Sequence, residues 1–91
     1  MSAMAKAQKK KAEAYEAEAE KLLAKKSWFS SGKERQAEEA AETFLQAANA
    51  YKVGGLNSEA GATYSRVGTI YQGTLSNTNE AAKAFTQAGE S

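Results

Sequence analysis

Residues 40–51 read AAETFLQAANAY, and this segment decides the fold. Phe44, Ala47, Ala48 and Tyr51 stand at i, i+3, i+4 and i+7, so they line one face of a helix. The same face returns as Tyr64, Val67, Gly68 and Tyr71, and again as Phe85, Ala88 and Gly89. A leading alanine repeats with it, as Ala40, Ala60 and Ala81. One helix plus one turn every twenty or so residues is the pattern of a helical solenoid, in which each helix covers its neighbours. The third copy stops before its closing aromatic, which predicts that residues 1–91 are the front piece of a longer repeat protein.

Composition agrees with helices packed on helices. Twenty of the 91 residues are alanine, proline and cysteine are absent, and glutamate, lysine and glutamine fill much of the rest. A core built from so many small side chains needs close approach of helix backbones around a few aromatics. The expected fold is therefore all-α, with antiparallel helical hairpins in a right-handed solenoid and helices near 5–26, 34–53, 58–72 and 79–90. Ala12, Tyr15, Ala19, Leu22 and Leu23 mark the inner face of the first helix. Ser31 with Glu34 reads as a capping box for the second, Gly54 and Gly55 end it, Asn57 or Ser58 caps the third, and Asn77 with Glu80 opens the fourth. Gly61 and Gly68 inside the third helix each cost about 1 kcal/mol relative to alanine, which implies a neighbour too close for a Cβ.

Charge and residue types remove several functions. The net charge is +1, so the chain as a whole lacks the basic bias of a nucleic-acid binder. Seven lysines against four glutamates give residues 1–26 a local +3. The lysines at 9–11 read more simply as a frayed, solvated helix start than as a binding patch. With no histidine or cysteine there is no imidazole or thiolate for metal binding or nucleophilic catalysis. Glu38, Glu39 and Glu42 fit a solvated helix face better than a catalytic dyad, and Gly32-Lys33 lacks the upstream glycine and following Ser or Thr of a phosphate loop. No enzyme, cofactor or metal site is expected. No apolar run is long enough for a signal segment or membrane span.

Residues 25–33, KKSWFSSGK, break the helical pattern and hold the only tryptophan beside a phenylalanine. Two readings stand. Trp28 or Phe29 folds back as a lid over the first hairpin, or both form a membrane-contacting tip at 27–33, with Lys25, Lys26, Lys33 and Arg35 placed for anionic headgroups.

The repeat and this loop together resemble the amino-terminal part of the soluble NSF attachment proteins, most closely the alpha type. EAEAEKLLAKKSWFSSG is similar to the family's first helix and aromatic hairpin loop. EEAAETFLQAANAYKVGG is similar to its second helix, and SEAGATYSRVGTIY with EAAKAFTQAG to the third and fourth. The helices alone are generic to tetratricopeptide-like arrays; their order around a Trp-Phe loop is the specific feature. The resemblance implies an adaptor that binds along a SNARE four-helix bundle, contacts the anionic membrane surface through Trp28 and Phe29, and recruits the hexameric NSF ATPase. ATP hydrolysis by that partner then takes SNARE complexes apart in vesicle fusion and protein transport, such as that between endoplasmic reticulum and Golgi. Such a protein is cytoplasmic and peripheral on membranes, and takes no nucleic acid. Lys52 and Arg66 are the SNARE-facing candidates, and the ATPase-contacting helices of the family have no counterpart in these residues. The alternative is a tetratricopeptide-type peptide-binding scaffold unrelated to SNAREs, whose groove needs convergent Lys, Arg and Asn side chains.

Overall fold

The computed structural model describes residues 2–25 and 30–90. Alanine-rich amphipathic segments form four helices there, α1 (Ala3–Ala24), α2 (Ser30–Val53), α3 (Asn57–Gln72) and α4 (Thr78–Glu90), with no strand among the described residues. Consecutive helices pack against one another as antiparallel hairpins.

The ends of the helices show where local signals were overridden. α1 starts at Ala3, ahead of the expected residue 5, because the Ser2 hydroxyl accepts a hydrogen bond from the Ala5 amide at 3.1 Å. The start is not frayed: Ala5 is buried, and its Cα lies 3.6 Å from the position a Cβ would take on Gly54. α2 starts at Ser30, so residues 30–33 are helix and not loop, and Ser31, expected at the cap, lies inside the helix. A long-range contact explains the difference. The Gln36 side chain donates to the Leu22 carbonyl and, at 2.6 Å, to that of Lys25, fixing the beginning of α2 against the end of α1.

At the α2–α3 turn Gly55 has φ +77°, a left-handed conformation that glycine takes without a Cβ penalty. The Leu56 amide donates to the Tyr51 carbonyl at 2.8 Å and the Gly55 amide to that of Lys52 at 3.0 Å, which is the Schellman pattern. Leu56 then packs against the cluster holding Tyr51. Because the chain re-enters a helix directly from this motif, Leu56 occupies the cap position, and neither Asn57 nor Ser58 acts as the cap. The α4 start is as expected, with the Asn77 side-chain oxygen accepting from the Glu80 amide at 3.1 Å.

The core is a stripe of small residues around three large ones. Ala5, Ala12 and Ala19 bury α1 at seven-residue spacing, and Ala37, Ala40, Ala41, Phe44, Ala47, Ala48 and Tyr51 face them from α2. Phe44, Tyr64 and Val67 are the largest fully buried side chains. Leu23, expected on the inner face, is 42% exposed. Leu22 takes the position nearer the stripe, and one residue further rotates the side chain by about 100° around the helix.

The Glu16 carboxylate lies 3.3 Å from the Thr63 hydroxyl, and that of Glu20 lies 2.7 Å from Arg66, so α1 and α3 meet on one side. Leu45 of α2 lines a cleft with Ala84 and Gln87 of α4. The odd helices thus form one layer and the even helices another, within 45 × 24 × 12 Å. Of the repeated small positions, Ala48 has no exposed surface and Gly68 is covered, since a Cβ there would meet the Phe85 ring at 2.8 Å. Gly89 has nothing within 4 Å. On the apolar face of α4 only Phe85, 39% exposed, lies open among Ala81, Phe85 and Ala88, because Ala81 is buried and Ala88 half-buried.

Candidate functional site

The end of the molecule where α1 gives way to α2 carries most of the residues singled out from sequence. Lys26, Trp28 and Phe29 lie outside the described residues. Lys25 leaves the helix with extended backbone, φ −64° and ψ 136°, and its amide still donates to the Lys21 carbonyl. The last carbonyls of a helix lack partners within it, and here Gln36 supplies donors to two of them, those of Leu22 and Lys25. One glutamine therefore holds both borders of the aromatic segment in fixed relation.

Lys25 and Lys33, on either side of that segment, line one shallow cleft of about 180 Å³ together with Leu23, Gln36, Ala37 and Thr74. Arg35 is exposed on the first turns of α2 but does not line the cleft. Among the described residues neither Lys25 nor Lys33 has an ion-pair partner, and the ion pairs there are Arg66–Glu20 and Lys83–Glu80. Two lysines without partners among the described residues, lining one cleft, can attract an anion.

The SNARE-facing candidates are not brought together. Lys52 is exposed on the last turn of α2. Arg66 projects from α3 toward α1, 2.7 Å from Glu20 and 4.2 Å above the Phe44 ring centre, with about half its side chain exposed. A partner meeting Arg66 shares it with Glu20. Glu38, Glu39 and Glu42 are all exposed along α2.

Two tyrosines are held neutral at the opposite end. Burial pushes the Tyr51 hydroxyl far above its ordinary value of 10.0, helped by its hydrogen bond to Glu16 and by the charges of Glu16, Glu13 and Glu59. Burial likewise raises Tyr64, whose hydroxyl donates to the Asn49 side-chain oxygen. The half-buried Tyr71 rises through burial first, then through Glu80, Glu42 and Glu38.

Sequence reasoning missed Gln36, Thr74, Glu16 and Glu20. Each acts through a residue at least eleven positions away, which helical spacing within one segment does not reveal. No described helix is long and apolar enough to cross a membrane.

Comparison with protein families matches residues 10–91 to the model of the soluble NSF attachment proteins, SNAP. The match runs from within α1 through α4. Comparisons with curated proteins and with solved structures returned no match.

Proposed function

Because the chain belongs to the soluble NSF attachment protein family, we propose that it is an adaptor that holds SNARE complexes at a membrane for disassembly by the NSF ATPase. The observation that carries the reading is the single family match extending across the aromatic segment and α2, α3 and α4 together. The chemistry expected of it is binding, not catalysis.

In this reading Trp28 and Phe29 enter the membrane interface while Lys25, Lys26, Lys33 and Arg35 meet anionic headgroups. The shared cleft of Lys25 and Lys33 supports it, as does the tie that Gln36 makes at the base of the segment. Two aromatics contribute about 1.5 to 3 kcal/mol each on full burial and less at an interface. Attachment is therefore weak for one copy and strengthened when several copies surround one SNARE bundle. Lys52 and Arg66 offer positive charge to the bundle. The protein works in the cytoplasm, peripheral to the membrane.

The test is co-sedimentation with an assembled SNARE four-helix bundle, free and anchored in anionic vesicles. Binding to both is expected, tighter for the anchored bundle, and weakened by Lys52→Gln and Arg66→Gln. Absence of binding to either form would refute the adaptor reading.

A further inference from the structure

The cleft at the loop end has a third polar member that the membrane reading leaves unused. Thr43, Thr63, Thr69 and Thr86 each donate their hydroxyl to the carbonyl four residues back, at 2.8 to 3.0 Å. Thr74 has no such bond. It sits in the α3–α4 turn, exposed, and its hydroxyl has no partner among the described residues. It nevertheless lines the same cleft as Lys25 and Lys33. Three separate segments therefore each give the cleft a residue with a polar donor that has no partner among the described residues: the end of α1, the first turns of α2 and the turn after α3. Among the described residues no carboxylate lines the cleft.

We infer that this cleft binds a phosphomonoester, presented by a lipid headgroup at the membrane surface. The inference deepens the membrane reading and rests on it for the source of the phosphate. A phosphomonoester carries a charge of about −1.5 to −2 near neutral pH and three terminal oxygens. Two ammonium groups match that charge, and a hydroxyl donor serves the remaining oxygen. A phosphodiester headgroup carries one charge and two free oxygens, so it leaves one donor unanswered. In a serine headgroup the ammonium and carboxylate cancel, so it too offers a phosphodiester and one net charge. Gln36 contributes indirectly, because its bond to the Lys25 carbonyl fixes the backbone from which that lysine reaches. Its own amide hydrogens are already given to Leu22 and Lys25. A bound phosphate would join the first hairpin to the turn of the second.

The experiment compares phosphatidylcholine vesicles containing phosphatidic acid with vesicles containing phosphatidylserine at matched surface charge, alongside an NMR titration with inorganic phosphate. Preferential binding to phosphatidic acid is expected. Thr74→Val should abolish the preference while leaving binding to phosphatidylserine vesicles unchanged, and Lys25→Gln and Lys33→Gln should each weaken binding about fivefold. Inorganic phosphate should shift the amides of residues 25, 33 and 74, and should still do so in Phe29→Ser even where that variant no longer binds vesicles. Equal binding to both vesicle types with no phosphate shifts overturns the inference. So does a preference that survives in Thr74→Val and in the lysine double variant, which would leave membrane docking by the aromatics intact. Phosphate shifts in a protein that binds neither vesicle overturn the lipid source and the membrane reading together, and assign the cleft to a soluble phosphomonoester.

Discussion

At the end where α2 turns into α3, the chain answers its own polar groups. The Schellman bonds close the backbone, Tyr51 is bonded to Glu16, and Tyr64 to Asn49. At the other end, where α1 leads toward α2, the backbone is also tied off, by Gln36, but Lys25, Lys33 and Thr74 surround a cleft with no partner among the described residues. The two ends are the two ends of α2, so their difference is not one of fold. Satisfied polar groups mark the end that sets the geometry. Uncommitted ones beside an aromatic segment are the observation behind the membrane contact proposed for the other end.

The largest separation of the two ends should come from alkali. Tyr51 and Tyr64 have folded pKa values raised above 10.0, so below that pH both are protonated in either state and stability is intact. Above it the unfolded chain releases protons that the folded chain retains, and stability falls, by about 1.4 kcal/mol per pH unit for Tyr51, whose shift is large. Denaturant unfolding at about pH 9 and about pH 11 should therefore differ by roughly 1.4 kcal/mol from Tyr51 alone, a part that Tyr51→Phe should remove, with Tyr64 and Tyr71 adding to the fall. A flat profile would show that the turn end is not closed.

Next in size is Ala48→Leu. Ala48 has no exposed surface and belongs to the cluster with Tyr51 and Tyr64, so the larger side chain should overpack it at about 1 to 3 kcal/mol. An unchanged melting temperature would remove the position from the core. Gly55→Ala follows, at about 1 to 2 kcal/mol, because φ +77° is strained for any residue with a Cβ. Substituting Gly54 in parallel sharpens the reading, since its strain is a contact with Gln8 and not a backbone angle.

The smallest effect is expected at the loop end. Lys25→Gln with Lys33→Gln should change unfolding free energy by less than about 0.5 kcal/mol while reducing vesicle binding. A large loss of stability there would mean that the lysines serve the fold.

The regions differ in legibility as they do in chemistry. The core and the α2–α3 turn rest on spacing within a segment: Phe44, Ala48 and Tyr51 share a face, Gly55 ends a helix, and Asn77 reaches its Glu80 three residues on. Such relations are written along the chain. The start of α2 depends on Gln36 reaching back eleven residues, and the bridge between α1 and α3 depends on Glu20 meeting Arg66 across 46. Counting charges within the first helix suggests that Glu16 and Glu20 add little, because their partners, Thr63 and Arg66, are supplied by the solenoid. Thr74 reads as an ordinary turn residue until the fold sets it beside two lysines.

Trp28 is the only tryptophan in the chain, so its fluorescence reports the loop end directly. Adding vesicles of anionic lipid should shift its emission to the blue, with the shift weakened by salt and abolished in Phe29→Ser. Emission already blue-shifted in the free protein and unmoved by vesicles would make the aromatics a packed lid and contradict the assignment of this end to the membrane.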